Sequence, residues 1–255
     1  MWKDRSVGVI LLIFLLGISG CSLTTGDPKP RLAMFVGVDI SGSFMNGEYF
    51  DDSIDFLAYY LYCHLHGLGD LDVPDALFVS SIGGAHANEP KTFFPIQMFE
   101  NKSVYEIASE LRKIFPKENA NPFTDYNAFL EQVALTVKNK NLALRPISIV
   151  MISDGIPDVM RNGKTDYHSI VVKPLEKLSR SVTIRLLYTD ATVGKNWQTR
   201  VPRSRVKIWT QDACVLVTWK DPKILNPNTP LAKQERFFEW VKDNIDFHVR
   251  SKRVG

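Results

Sequence analysis

The chain is short of the residues that hold small folds together or mark common catalytic centres. Its 255 residues include 3 cysteines and 5 histidines. So few cysteines build no disulfide framework, and a packed core has to carry the fold. The tract Cys63-His64-Leu65-His66 is metal-like in composition. Donors at i and i+2 on a helix do not face each other, so it reads as exposed polar groups at a helix end. His86 and His168 lack neighbours with the logic of a catalytic triad. Gly83-Gly84-Ala85-His86 lacks the lysine and the strand-to-helix context of a phosphate loop. An excess of one charge is also missing. There are 31 Lys+Arg against 28 Asp+Glu, a formal net charge of +3. That balance argues against a nucleic-acid partner. The basic cluster Arg200, Arg203, Arg205 and Lys207 falls in a Pro-containing connection and reads as solvated loop. No run approaches the roughly twenty apolar residues of a comfortable membrane span. Internal repeats and low-complexity tracts are absent as well.

What is present is an alternation of apolar β-rich runs and helical patterns. Strands are expected at Leu32–Val38, Ala76–Ile82, Ile147–Ser153 and Val182–Thr189. An edge segment with Pro95 inside is expected at Lys91–Phe99. Short β runs are expected at Val206–Thr210 and Cys214–Trp219. Helices are expected at Tyr49–Leu65, from a capping box at Ser103 to Phe115, at Asp125–Lys140, between His168 and Arg180 around Pro174, and at Ala232–Val249. The order implies an α/β fold, doubly wound, with a mostly parallel central sheet and helices on both faces.

Three polar segments punctuate this pattern. Asp39-Ile40-Ser41-Gly42-Ser43 follows the first strand directly. Ser153-Asp154-Gly155 ends the central strand, and Thr124 sits in a Pro/Asn-rich loop before a helix. Ligand sites of open α/β sheets lie at the C-terminal ends of the strands. Carboxylates and hydroxyls are hard donors that suit Mg²⁺ or Mn²⁺ rather than zinc or copper. Each segment alone also serves as a helix cap or a turn; the three together favour a metal site.

This set resembles the von Willebrand factor A family and its metal-ion-dependent adhesion site. The resemblance covers roughly residues 31 to 250 and is weaker after Thr189. It implies Asp39, Ser41, Ser43, Thr124 and Asp154 as metal ligands, the hydroxyls directly and the carboxylates directly or through water. It implies a Mg²⁺ or Mn²⁺ cofactor, a protein partner whose acidic residue completes the shell, and no enzymatic activity. Phe44, Met45 and Tyr49 are expected to touch that partner around the rim. Asp158, a further acid nearby, reads as exposed loop. Two other classes stay open. One is an envelope scaffold whose metal only orders loops. The other is a metal-assisted hydrolase, which would need a general base that the sequence does not place near the ion.

The N-terminus carries a separate signal. Lys3 and Arg5 precede the apolar stretch Val7–Ile18, which ends in Ile18-Ser19-Gly20-Cys21. This resembles the bacterial lipoprotein signal. It implies residues 1–20 as a removed leader, lipidation of Cys21, and a Gly/Pro-bearing tether over residues 21–30 before a domain at 31–250. The protein would then sit in the cell envelope, anchored to a membrane by lipid. In a Gram-negative host, Ser22 after the cysteine implies the outer membrane, facing the periplasm. For Cys63 and Cys214, a disulfide and two free thiols both fit.

Overall fold

The structure is a computed structural model that describes residues 30–84, 86, 90–119 and 123–247. The expected leader, Cys21 and the expected tether as far as residue 29 lie outside the described residues. The strands are β1 (Leu32–Val38), β2 (Pro74–Ser81), β3 (Gly83–Gly84), β4 (Phe94–Pro95), β5 (Phe123–Thr124), β6 (Ile147–Ile152), β7 (Met160–Arg161), β8 (Lys164–Thr165), β9 (Val182–Thr189) and β10 (Lys207–Asp212). The helices are α1 (Phe50–Leu65), α2 (Val104–Ile114), α3 (Tyr126–Asn139), α4 (Lys173–Glu176), α5 (Ala191–Arg200), α6 (Ala213–Leu216) and α7 (Glu235–Asn244), and a single helical turn precedes α1 at Gly42–Met45.

Six strands form the central sheet in the order β10, β9, β6, β1, β2, β4. All pairs are parallel except β2 with β4. Side chains alternate across each strand, so each face builds its own core. Met34, Val36, Val38, Val150 and Ile152 pack with Ile54, Leu57 and Leu61 of α1 and with Phe237 and Val241 of α7. Phe35, Ile149, Met151 and Ile184 pack on the other face with Phe129 and Val133 of α3 and Trp197 of α5. Burial on both faces is what makes these strands read as continuous apolar runs. The expected α/β architecture with helices on both faces is the one observed. Among the described residues, no helix is long and apolar enough to cross a membrane.

Several local expectations are corrected. Lys91–Phe99 contributes only Phe94–Pro95 to the sheet, at its edge, before a 3₁₀ turn at Ile96–Met98. The helix expected between His168 and Arg180 shrinks to a 3₁₀ turn at Tyr167–Ser169 and the single turn α4, with Pro174 in its first two positions. Cys214–Trp219 is helical rather than β. The Asp212 carboxylate accepts the Cys214 N–H at 2.7 Å and starts α6. Helix α5 was not anticipated; the Asp190 carboxylate caps it by accepting the Val193 N–H at 2.8 Å. The closing helix α7 is shorter than Ala232–Val249, and residues 248 and 249 lie outside the described residues. The capping box of α2 is present, with Ser103 and Glu106 bonding each other's backbone N–H.

Cys63 and Cys214 are both free, the first buried and the second exposed. Burial pushes the Cys63 thiol up to about 12. His64 is buried, not a surface group. One ring nitrogen lies 2.8 Å from the Asp72 carbonyl oxygen and the other 3.3 Å from the Asp246 carboxylate.

Candidate metal site

Strands β1 and β6 pair directly, with Val38 opposite Ile152. The pairing continues past the strand ends, where Asp39 N–H donates to the Ile152 carbonyl at 2.9 Å. The two polar segments therefore leave the sheet side by side. Asp39 is fully buried. Its Oδ1 accepts the Ser41 N–H at 2.8 Å and its Oδ2 accepts the Ser153 hydroxyl at 2.5 Å. With its proton on Asp39, Ser153 accepts from the Tyr126 hydroxyl at 2.6 Å and from Gly155 N–H at 3.0 Å. The Ser43 hydroxyl donates to Asp154 Oδ2 at 3.2 Å and lies 3.1 Å from the Ser41 hydroxyl. Asp154 Oδ1 accepts the Ile156 N–H at 3.0 Å. Gly155 turns the chain with φ +80, where a Cβ would meet Val193, Leu186 and Thr189 at 2.8 to 3.0 Å.

Four of the five expected ligands thus form one hydrogen-bonded group: Asp39 binds the Ser41 backbone, and Ser41, Ser43 and Asp154 follow in a chain of side chains. Thr124 arrives differently. It lies opposite Gly83 in the ribbon of β3 and β5, and its N–H donates to Asp158 Oδ2. A Cβ on Gly83 would stand 2.6 Å from the Phe123 carbonyl oxygen and 3.5 Å from Ser41 N. Glycine therefore lets the ribbon press against the Asp39–Ser43 loop. Among the described residues, no hydrogen bond joins the Thr124 hydroxyl to the other four. Asp158 is exposed, as expected, yet it ties the Thr124 strand to the loop after Asp154. Ser153, Tyr126 and Asp158 were not anticipated as parts of the site. Ser153 precedes Asp154 in the quoted motif, but its tie to Asp39 spans 114 positions and has no local signal.

Phe44 and Met45 are corrected. Both are buried, and Phe44 packs edge-on to Phe50 at 6.0 Å between ring centroids. The exposed apolar side chains near the polar loops are instead Phe123, Ile156, Val159 and Met160.

Burial, reinforced by the Asp154 charge, pushes the Asp39 carboxyl up to about 6 against the hydrogen bonds from Ser153 and Ser41. Burial also raises Asp154, with the charges of Asp158 and Asp190 adding to it. Neither Asp39 nor Asp154 has a Lys, Arg or His partner among the described residues. Two neighbouring carboxylates without a cation, next to two hydroxyls, fit a small hard divalent ion. Among the described residues, no group of three or more His, Cys, Asp or Glu that could hold a metal ion gathers, so hydroxyl oxygens have to make up the rest of the donor set.

The raised Asp39 makes a signed prediction. The metal-free folded state holds a proton that the unfolded chain releases near pH 4. Stability should therefore fall as pH rises from about 4 through about 6, by up to about 3 kcal/mol. Urea unfolding in EDTA across this range reads the slope, and saturating Mg²⁺ should remove it. A metal-free curve that is flat or rising between those pH values contradicts the burial of an unpaired Asp39.

No protein-family model matches the chain, and no curated protein matches it. Solved structures do. The chain is similar to the SpRpn10 VWA domain, with 12% identity, a TM-score of 0.46 and coverage of 84% of this chain and 96% of that one. It is similar to manganese-loaded TRAP protein from Plasmodium vivax, with 15% identity, a TM-score of 0.46 and coverage of 74% and 71%. It is also similar to proximal thread matrix protein 1 from the mussel byssus, with 13% identity and a TM-score of 0.44. There it covers 73% of its own length and spans 46% of the mussel protein. Similarity at this level carries no functional argument. The fold class rests on the strand order and register.

Proposed function

We propose that the chain is a von Willebrand factor A-type binding domain, held on a membrane through Cys21. It takes hold of a protein partner at the rim formed by Asp39, Ser41, Ser43, Thr124 and Asp154. The observation that carries this reading is the hydrogen-bonded group at adjacent C-terminal ends of β1 and β6. Ser41, Ser43 and Thr124 would offer hydroxyls to the ion, and Asp154 its carboxylate. Asp39, gripped by Ser153 and the Ser41 N–H, sets the negative charge beneath them. A bound Mg²⁺ or Mn²⁺ supplies an open coordination position to an acidic side chain of the partner. Phe123, Ile156, Val159 and Met160 surround the rim with apolar surface for the rest of that partner. The domain binds and does not catalyse in this reading.

The test is capture of an aspartate-bearing peptide library by the immobilised protein in Mg²⁺, in Mn²⁺ and in EDTA. Capture that needs the ion supports the reading, and equal capture in EDTA removes it. The anchor has its own prediction. Cys21→Ser should leave the protein unlipidated and either release it from the membrane or leave it misprocessed. Mass spectrometry of the mature N-terminus should find Cys21 first and acylated; any other unmodified first residue refutes the anchor.

A further inference from the structure

The end of the sheet opposite the metal rim has a different chemistry. The strands start there. Arg31 precedes β1, Arg145 and Pro146 precede β6, Arg180 and Ser181 precede β9, and Lys207 opens β10. Backbone bonds hold these starts in one row. Ala33 N–H donates to the Pro146 carbonyl at 2.9 Å, Ile147 N–H to that of Ser181 at 2.8 Å, and Lys207 lies opposite Thr183. The C-terminal ends of α3 and α4 join them, since Leu144 N–H donates to the Leu178 carbonyl at 2.7 Å.

Arg31, Lys138, Lys140, Lys177, Arg180 and Lys207 are exposed on this basal end. None of them has an ion pair among the described residues. The neighbouring acids are engaged. Asp75 pairs with Arg145, and the Glu176 carboxylate accepts the N–H groups of Ser204 and Arg205. The near-neutral total charge therefore hides a polarity, with carboxylates at the rim and free cations at the base. Among these residues is Leu144, in the connection between α3 and β6, 77% exposed and held at φ 67. A branched side chain at positive φ is strained, and an exposed leucine gains nothing from burial within its own chain.

We infer that this basal end rests on an anionic lipid surface, with the cations against the headgroups and Leu144 entering the interface. The inference stands on the basal residues alone and needs neither the metal nor the lipidation of Cys21. Exposed cations with one exposed apolar side chain among them match a charged bilayer with an apolar interior. Docked this way, the domain turns its metal rim away from the membrane.

The test uses the full chain carrying Cys21→Ser, so that no acyl chain contributes. Co-sedimentation compares vesicles of phosphatidylcholine with vesicles of phosphatidylcholine and phosphatidylglycerol. Binding held by the N-terminal apolar stretch is common to both, so the increment on phosphatidylglycerol is the readout. That increment should be present and should fade at high salt. Lys140→Gln, Arg180→Gln and Lys207→Gln together should lower it about a hundredfold, from the contribution of each cation near a charged surface. Leu144→Gly should raise Tm by relieving positive φ, yet weaken vesicle binding. A merely structural leucine would not split the two. Leu144→Trp should show quenching by brominated lipid only in the anionic vesicles. Equal binding to both vesicle types, or an increment untouched by the triple variant, overturns the inference. So does tighter holding of duplex DNA than of anionic vesicles, lost in the same triple variant.

Discussion

Asp39→Ala is expected to abolish Mg²⁺ and Mn²⁺ uptake while the domain stays folded. Asp39 is fully buried beneath the rim, so it is not the surface-loop residue that its position after a strand suggests. Its removal frees the Ser153 hydroxyl and the Ser41 N–H of their acceptor, which costs stability. It also removes a carboxylate that burial penalises, which returns stability at neutral pH. These terms oppose each other, whereas the loss for the ion has no compensation. Asp154→Ala should rank with Asp39→Ala. Ser41→Ala, Ser43→Ala and Thr124→Ala should each weaken the ion less, since a hydroxyl carries no charge. Ser153→Ala should cost about 10- to 100-fold in ion affinity, although Ser153 is not proposed as a ligand, because it aims Asp39. Calorimetric titration of both ions into the wild type and these variants gives the ranking. A wild type that takes up neither ion, even with an acidic peptide present, ends the adhesion reading and leaves the scaffold.

The sheet was legible where burial on both faces writes a continuous apolar run, as in β1, β6 and β9. The group of Asp39, Ser41, Ser43 and Asp154 was legible because these residues fall directly after two of those runs, whereas Thr124 comes from the separate ribbon of β3 and β5. Elsewhere local pattern misled. Helix α5 turns only Val193, Gly194 and Trp197 inward, so a weak apolar signal hid a helix started by Asp190. In the segment from Cys214 to Trp219, the β-rich composition lost to the Asp212 cap and to packing of Trp219 on Phe56 and Tyr59. Pro174 confined α4 to one turn. Phe44 and Met45 follow the metal motif by one residue or two, yet a helical turn at Gly42–Met45 points them into the core. The burial of His64 depends on Asp246, 182 positions away, and no local pattern encodes such a contact.

That same distant contact predicts the largest loss of stability in the molecule, for Arg185→Met. Arg185 in β9 is 2% exposed and Asp246, just past α7, is 1% exposed. The guanidinium reaches Asp246 Oδ1 at 2.8 Å, the Ile245 carbonyl at 2.9 Å and the Ser148 hydroxyl at 2.8 Å. The Tyr60 hydroxyl donates to Asp246 Oδ2 at 2.8 Å. Burial by itself would raise the Asp246 carboxyl. The Arg185 charge, His64 and Tyr60 outweigh it and hold the group well below the usual carboxylate range. Removing the guanidinium leaves a charge in the core without its main partner, which costs about 3–5 kcal/mol. Against a total stability of about 5–15 kcal/mol, that loosens the docking of α7 or unfolds the domain. Arg185→Met with Asp246→Leu should recover most of the loss, because an apolar pair replaces the ion pair instead of orphaning half of it. The pH windows separate this lock from the rim. Asp246 is depressed in the folded state, so its contribution is full above about pH 4 and is lost as pH falls below that. Asp39 acts with the opposite sign between about pH 4 and about 6. Urea unfolding of wild type, single and double variants at neutral pH decides the matter. A single variant as stable as wild type, or a double variant no better than the single, means that the network does not hold α7 to the sheet.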